Sequence, residues 1–434
     1  MLPVRSRQSG GSLTRPLITA MFVAAGLAGL AVGGRAPSVT GTLLLTAAVA
    51  RSAGGPGIGA GQVAIRMLVG AAPAVVLVAA AADLAAVRPA PPIIGAVLAG
   101  TWTVTARTLG AATARALTTP AQRRDVALRL AAVAGVTAFV AGAMVRLLTP
   151  STPTVQRLSW ILGEEDNAHV VGVGREVIAS GPRGVELADQ YGTAFMNLPL
   201  LLTQLVGGLP AAEQDPRFQA ISAFTVSTLV VILLAGLAMG LLAALPDHLH
   251  APAVGANPDL RRSLLNAVGA AAVTTIGMSL LVVLPMRSGF LTFVWGLTLV
   301  LLGSAVAAAL PPDAGPVERT VVLSTLGALG ALLLSSWPFI LPALAGLALI
   351  PLSWVRWQSI RDSVRRRPGR WGSGLALTLT LLTVLGVAFS RWGPAAEVLS
   401  YGTNILTYAG SGISADDFLR RAVFLLLGIT LLLL

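Results

Sequence analysis

The chain lacks cysteine and lysine, and charged residues make up only 11% of its 434 residues. Without cysteine it can form neither a disulfide nor a thiolate metal site. Soluble domains carry roughly 25% charged residues, so the scarcity of charge excludes an ordinary soluble protein. All 30 basic residues are arginine. Together with the abundance of alanine, glycine and valine, this bias predicts a GC-rich, actinobacterial source.

Long apolar runs dominate the chain instead. Hydrophobic residues make up 55% of it, and the mean hydropathy is +0.80. A backbone that crosses a bilayer must form helices or a closed barrel, because lipid offers no hydrogen bonds. The runs are continuous rather than alternating, which favours helices. The sequence therefore predicts an all-α polytopic membrane protein with about 11–13 transmembrane helices and interfacial helices in a long outer connection.

The apolar runs also predict how the chain is divided. We expect N-terminal transmembrane helices in 1–148, an extracytoplasmic connection in 149–219, and C-terminal transmembrane helices in 220–434 with an outer loop at 392–420. The chain stops inside the apolar run 422–434, which is short for a hydrocarbon layer about 30 Å thick. We therefore expect either an incomplete last helix or a natural protein that continues into a further domain. The predicted spans are 16–35, 38–53, 64–84, 91–107, 126–148, 220–245, 263–285, 288–310, 319–336, 338–355, 373–391 and a last one from 421.

Arginine placement predicts the orientation of these spans. The formal net charge is +12, and the arginines collect in alternate connections, as the positive-inside bias requires. If the protein lies in the plasma membrane with its N-terminus in the cytoplasm, every group of arginines falls on the cytoplasmic side. Nucleic-acid binding is excluded as an explanation, because no basic soluble domain exists to carry it. The groups are Arg5, Arg7 and Arg15; Arg51 and Arg66; Arg107, Arg115, Arg123 and Arg124; Arg261 and Arg262; Arg319; and the run from Arg356 to Arg370.

The stretch 159–180 holds the densest group of acidic and imidazole side chains, namely Glu164, Glu165, Asp166 and His169. On a helix, Glu165 and Asp166 would share a face with His169. A carboxylate can take the proton of an acceptor hydroxyl during glycosyl transfer, so Asp166 and Glu165 are the candidate catalytic residues. Two alternatives stay open. Acidic residues are favoured in the first turn of a helix, and carboxylates with an imidazole could bind a divalent metal ion.

Cationic side chains near this cluster are candidates for substrate binding. Phosphate groups are held by cations and hydrogen-bond donors, which favours His169, Arg175 and Arg183 as phosphate ligands, with Glu164 beside them. Residues 191–207 are too polar for a full span and are broken by a proline. They predict a second interfacial helix or a re-entrant segment.

Further candidates lie at both predicted faces. Arg146, near the outer end of the fifth span, could neutralise Asp166 or a lipid phosphate, or could simply extend toward the headgroups. His248 and His250 fall in an inner connection, where we expect loop residues and weigh a metal site as the alternative. The outer loop 392–420 offers aromatic and amide side chains that suit a glycan, although interfacial anchoring explains the aromatics equally well. These residues are Tyr401, Asn404 and Tyr408.

The motif Gly163–His169, read as GEEDNAH, resembles the acidic motif of the multi-span GT-C glycosyltransferases, which use polyprenyl-phosphate-linked sugars. The actinobacterial cell-wall arabinosyl- and mannosyltransferases are similar in kind. The resemblance covers residues 160–207, where that class has two interfacial helices, and the general pattern of spans. It implies that the base of the outer loop is Asp166, with Glu165 beside it. The class usually carries its motif after the first span, whereas here it follows the fifth.

These features lead us to expect a membrane glycosyltransferase that works in contact with membrane lipids. It would move a sugar from a polyprenyl-phosphate donor to an envelope glycan or lipid acceptor at the outer face. One alternative is a transporter or flippase of a lipid-linked envelope precursor, which predicts ionisable residues inside the spans. Another is a non-catalytic membrane subunit of an assembly or secretion complex. Polar residues collect in the outer connections rather than in the spans, and this favours the enzyme.

Overall fold

The protein is described by a computed structural model that covers residues 14–55, 57–85, 90–148, 201–206, 216–249, 258–287 and 291–336. Over these residues it is helical, without a β-strand. A π-helical turn, Met278–Val283, joins the ninth helix to the tenth. The helices are α1 (Thr14–Val32), α2 (Arg35–Ala53), α3 (Ala60–Ala85), α4 (Pro91–Arg107), α5 (Leu109–Ala116), α6 (Pro120–Leu148), α7 (Pro216–Ala244), α8 (Pro246–Leu249), α9 (Leu260–Gly277), α10 (Leu284–Arg287), α11 (Leu291–Ala308) and α12 (Pro316–Ser336).

Within the described ranges, 5 helical stretches are long and apolar enough to cross a membrane. Two shorter apolar helices, Pro16–Val32 and Phe293–Ala308, add to them. The prediction of an all-α polytopic membrane protein is therefore confirmed. The long stretches are Ala60–Asp83, Pro120–Leu147, Phe224–Leu249, Leu260–Met286 and Pro316–Leu333.

Local sequence explains where several helices begin. Proline is favoured at a first helical position because its missing N–H has no partner there, and α4, α6, α7, α8 and α12 all begin at a proline. Before α6, Thr119 Oγ1 accepts from the Gln122 N–H at 3.2 Å, and Gln122 Oε1 accepts from the Thr119 N–H at 3.1 Å. This reciprocal pair is a capping box. Asp259 caps α9 by accepting from the Arg262 N–H at 2.7 Å.

Glycine allows α1 and α2 to form a tight hairpin. Gly33 and Gly34 connect them with φ angles of 72° and 80°, a region that other residues rarely adopt. Inside the hairpin, a Cβ on Gly41 would stand 2.5 Å from the Gly26 carbonyl oxygen. The two backbones therefore pack directly against each other, as in membrane helix pairs with small residues at the interface.

Helices α3 and α4 are joined by side chains that donate to main-chain carbonyls. Thr105 Oγ1 donates to the Gly70 oxygen at 2.7 Å, and Trp102 Nε1 donates to the Met67 oxygen at 2.8 Å. A Cβ on Gly70 would lie 2.6 Å from the Ala106 nitrogen. Since water is scarce in an apolar bundle, these bonds satisfy polar groups that would otherwise be buried alone.

The core and the outer surface of the bundle are both apolar. Trp295 on α11 and Phe224 on α7 are among the largest fully buried side chains. Large apolar side chains also face outward, which soluble proteins avoid over a wide area but which lipid accommodates. They include Leu17, Met21, Leu43, Phe139, Leu264, Leu265, Val268, Ile276, Leu280 and Leu284.

Contacts around α5 bring several helix ends to one end of the bundle. Thr113 Oγ1 donates to the Ala309 oxygen beyond α11 at 2.7 Å. Gly110 packs on the Arg66 backbone of α3. Arg115 lies 3.8 Å from Glu318 of α12. The start of α3, the helix α5, the end of α11 and the start of α12 therefore lie at the same end of the bundle.

The start of α6 reaches the same side. Arg124 donates to the Pro258 oxygen before α9 at 3.1 Å, and Arg129 donates to the Ala243 oxygen at the end of α7 at 2.9 Å. We call this side the Arg-rich end. The arginines that lie there are the groups that the charge bias predicts to be cytoplasmic: Arg51, Arg66, Arg107, Arg115, Arg123, Arg124, Arg261, Arg262 and Arg319.

Residues 201–206 pack at the other end of the bundle. Leu201 and Leu205 are buried in an apolar cluster. Thr42 Oγ1 donates to the Leu205 oxygen, and Thr42 lies about 10 Å along α2 from its first residue. The segment therefore enters the helical layer instead of lying outside it. The other members of the cluster are Leu30, Leu45, Ala82 and Ile94.

Candidate functional site

The predicted catalytic and substrate-binding residues lie outside the described residues, with one exception. Arg146 lies in the last turn of α6, at the end opposite the Arg-rich end, and its side chain is exposed. The residues that lie outside are Glu164, Glu165, Asp166, His169, Arg175, Arg183, Tyr401, Asn404 and Tyr408. A second candidate site lies within the described residues, at the Arg-rich end.

A buried carboxylate, Asp125 on α6, is the centre of this second site. Its side chain is 0% exposed. Asn266 Nδ2 donates to Asp125 Oδ1 at 3.0 Å, and His248 Nε2 lies 2.9 Å from Oδ2. Arg129, one turn further along α6, places its Nε 2.8 Å from Oδ2. We call these four residues with Asp247 the Asp125 network.

Three elements position the network. α6 contributes Asp125 and Arg129 at a spacing that places them on one face. The short helix α8 follows α7 directly and contributes Asp247 and His248. The capped first turns of α9 bring Asn266 to the carboxylate. A single buried acid thus joins three parts of the chain that are distant in sequence.

Arg129 extends the network toward the surface. Its Nη1 lies 2.8 Å from Asp247 Oδ2, a carboxylate that is 68% exposed, and donates to the Ala243 oxygen at 2.9 Å. Its Nε is buried and makes no aligned hydrogen bond, so its contact with Asp125 is an electrostatic one. Because a buried carboxylate needs a compensating charge, Arg129 is the residue that makes ionised Asp125 tolerable there.

The contact with Asp125 also fixes the tautomer of His248. An ionised carboxylate only accepts hydrogen bonds, so the imidazole Nε2 must carry a hydrogen. The side chain of His248 is 11% exposed.

Ser263 completes the surroundings of the carboxylate. It lies one turn before Asn266 on α9 and is 0% exposed. Its hydroxyl is next to Asp125 but makes no hydrogen bond of good geometry.

The network is suited to linking charges rather than to binding a metal. Among the described residues, no group of three or more acidic or histidine side chains is arranged to hold a metal ion. Asp125 is already engaged by an arginine, an imidazole and an amide. What the arrangement does is couple α6 to α8 and α9 by charge and hydrogen bonds.

Local sequence carries only a weak signal for this site. The inner connection 246–249 reads as a loop, and we expected His248 to be a loop residue. The structure places it instead in a short helix, with a side chain that is largely buried. Asp125 and Arg129 form a carboxylate and arginine pair at helical spacing, which could have drawn attention to α6.

The chain matches no protein-family model, no curated protein and no solved structure. Its function must therefore be argued from its own residues and contacts.

Proposed function

We propose that this membrane protein is a glycosyltransferase that uses a polyprenyl-phosphate-linked sugar. The acceptor is an envelope glycan or lipid at the face opposite the Arg-rich end. Asp166 takes the proton of the acceptor hydroxyl, and Glu165 stands beside it. The acceptor oxygen forms a bond to the anomeric carbon as the bond from that carbon to the phosphate oxygen breaks. The polyprenyl phosphate leaves with its charge.

The observation that carries this proposal is the burial of Leu201 and Leu205 against α1, α2 and α4. The connection that holds the acidic cluster begins after Leu148 on α6 and returns to the bundle at 201–206. Both fixed points lie at the end opposite the Arg-rich end. Two fixed points at the same end would keep the connection between them close to the membrane, where the phosphate of a polyprenyl donor is found. This supports a reaction on a lipid-borne substrate.

Charge at that end supports the same proposal. Arg146 is exposed there and, with His169, Arg175 and Arg183, would hold the phosphate leaving group. Glu164 and the aromatic and amide side chains Tyr401, Asn404 and Tyr408 would face the sugars. A divalent ion could assist at Glu165 and Asp166. The positive-inside bias places the Arg-rich end in the cytoplasm and the reaction outside a plasma membrane.

The test is sugar transfer from a radiolabelled polyprenyl-phosphate sugar by the purified full chain in nanodiscs. Asp166→Asn should lower the turnover by about 10²–10⁴-fold, the usual contribution of a general base. Asp313→Asn is the matched control, because Asp313 is exposed at the Arg-rich end and should leave the turnover unchanged. Equal turnover for Asp166→Asn and the unmodified chain would remove Asp166 from catalysis.

A second candidate function, a transporter or flippase of a lipid-linked precursor, is favoured by one observation. Asp125 and Arg129 are buried in α6, which is one of the helices long enough to cross a membrane. Ionisable residues inside such helices mark substrate or proton pathways by default. A transporter moves the intact lipid without cleaving its sugar, so the products separate the two functions.

The discriminating experiment uses proteoliposomes that contain a fluorescent polyprenyl-phosphate sugar and the full chain. A flippase exposes the lipid to an impermeant quencher without releasing polyprenyl phosphate, and Asp125→Asn abolishes that exposure. A glycosyltransferase releases polyprenyl phosphate when an acceptor is added. Product release that persists in Asp125→Asn assigns the enzyme and rejects the flippase.

A further inference from the structure

We propose that Arg51 and Arg66 form a binding site for a phosphate-bearing anion at the Arg-rich end. This site is separate from the Asp125 network and from the connection 149–219. It does not depend on glycosyl transfer.

The end of α2 holds the guanidinium of Arg66. Arg66 Nη1 donates to the oxygen of Ala53, the last residue of α2, at 2.8 Å. Arg51 lies in the same last turn of α2. The negative end of the helix dipole suits cations in this turn. Both arginines therefore lie where α2 ends and α3 begins.

The two guanidinium groups have hydrogen-bonding capacity left over. The Nε atoms of Arg51 and Arg66 are both buried and have no hydrogen-bond partner. Neither side chain pairs with a carboxylate within the described part of the chain. A buried donor without a partner is unfavourable, so an acceptor at this place would be bound favourably.

A third arginine increases the positive charge. α5 packs on α3 where Gly110 meets the Arg66 backbone, and α5 carries Arg115 in its last turn at the same end of the bundle. The only carboxylate close to Arg115 among the described residues is Glu318 at 3.8 Å, and the Arg115 side chain is 71% exposed. An exposed pair at that distance is weak, so the site keeps an excess of positive charge.

Guanidinium groups prefer phosphate among the common anions, because their planar N–H pairs match two phosphate oxygens. Basic pockets between membrane helices at the cytoplasmic side bind the headgroups of anionic lipids. The anion is therefore the phosphate of a lipid headgroup or free inorganic phosphate. The two sources share one chemistry, and the probe distinguishes them.

The test compares the full chain in nanodiscs of phosphatidylcholine with nanodiscs that also contain phosphatidylglycerol. Native mass spectrometry measures retained phosphatidylglycerol, and thermal unfolding measures stabilisation. We expect the chain to retain phosphatidylglycerol and to unfold at a higher temperature with it. Inorganic phosphate is then added to the phosphatidylcholine sample. If inorganic phosphate raises the unfolding temperature, the site binds the phosphate group alone. If only phosphatidylglycerol raises it, the site binds the lipid headgroup. If neither probe stabilises the chain, the proposal fails.

Arg51→Gln is the cleanest variant, because Arg51 makes no hydrogen bond through the Nε that the proposal uses. It should weaken retention of phosphatidylglycerol by at least about tenfold, equal to about 1.4 kcal/mol. Arg66→Gln should do the same. Arg261→Gln removes a charge from an exposed arginine at the same end and should retain the lipid.

Two results would overturn the proposal. One is that Arg51→Gln retains as much phosphatidylglycerol as the unmodified chain, or that Arg261→Gln loses as much of it as Arg51→Gln does. An equal loss in Arg261→Gln would indicate general attraction of the lipid to a basic surface. The other is a lower unfolding temperature of Arg51→Gln in phosphatidylcholine alone. That result would mark Arg51 as a structural residue, whereas an unoccupied anion site predicts no loss there.

Discussion

His248 Nε2 lies 2.9 Å from Asp125 Oδ2, and this contact joins residues 123 positions apart. The same carboxylate accepts from Asn266 Nδ2 at 3.0 Å. One acidic side chain thus connects α6, α8 and α9 at the Arg-rich end. Because Asp125 is buried, the loss of its charge affects every partner together.

Asp125→Ala should be among the most destabilising single changes in the described part of the chain. It removes the buried carboxylate beside Arg129 and leaves that guanidinium with only the exposed carboxylate of Asp247, and breaking a buried ion pair costs about 3–5 kcal/mol. Asp125→Asn keeps an acceptor for Asn266 and should cost less. The measurement is thermal unfolding of the detergent-solubilised full chain.

The matched control for Asp125 is Asp313→Asn, an exposed carboxylate between α11 and α12. Substitutions at exposed positions usually change the free energy of unfolding by no more than about 0.5 kcal/mol, so the unfolding temperature of Asp313→Asn should not change. If Asp125→Ala unfolds at the same temperature as this control, the network contributes nothing to stability.

His248 should tolerate an amide better than a truncation. In His248→Gln the side-chain amide can still donate to Asp125, whereas His248→Ala leaves Oδ2 with one donor fewer, at a cost of about 1–3 kcal/mol. Unfolding measurements should rank the native chain first, His248→Gln second and His248→Ala last. In an Asp125→Ala background the difference between the two His248 variants should vanish, and persistence of that difference would place His248 outside the network.

Hydropathy located the starts of several helices in this bundle too late. The predicted span 126–148 corresponds to α6, which begins at Pro120, and the span 64–84 corresponds to α3, which begins at Ala60. The reason is physical. An apolar window ends where polar residues begin, whereas a helix continues through polar first turns when proline or a capping box starts it.

The Asp125 network could not be predicted from local spacing. Asp125 and Arg129 share one helix face, but His248 and Asn266 reach the carboxylate only through the packing of α7 and α9 on α6. A sequence without aligned relatives gives no measure of such distant contacts. The opposite holds for the acidic cluster at Glu164–His169, which is visible in the sequence and lies outside the described residues.

Two glycine-to-alanine variants should separate close packing from helix propensity. A Cβ on Gly41 would meet the Gly26 carbonyl oxygen at 2.5 Å, whereas nothing lies within 4 Å of a Cβ on Gly100. Gly41→Ala must force α1 and α2 apart and should cost about 1–3 kcal/mol. Gly100→Ala should be neutral or stabilising by about 0.5–1 kcal/mol. Unfolding temperatures measure both, and equal effects would contradict the direct backbone contact between α1 and α2.

Thr42 should hold the connection 149–219 against the bundle. Thr42→Val keeps the shape but removes the hydroxyl that donates to the Leu205 oxygen, a loss of about 1 kcal/mol. We expect faster cleavage of the connection by a protease, with little change in global unfolding. Thr46→Val is the control, since the Thr46 hydroxyl bonds only to its own helix, at the Thr42 oxygen, at 2.9 Å. Equal cleavage rates for the two variants would show that the hydroxyl does not restrain the connection.

The direction of the bundle in the membrane can be read from two single cysteines, because the chain contains no native cysteine. Asp313 is exposed at the Arg-rich end and Ala90 is exposed at the other end. The positive-inside bias places arginines in the cytoplasm. An impermeant maleimide should therefore label Ala90→Cys in intact cells and label Asp313→Cys only after permeabilisation. The reverse pattern would place the segment 201–206 at the cytoplasmic end of the bundle. A reaction at the outer face would then be untenable, while the anion site at Arg51 and Arg66 would face outward.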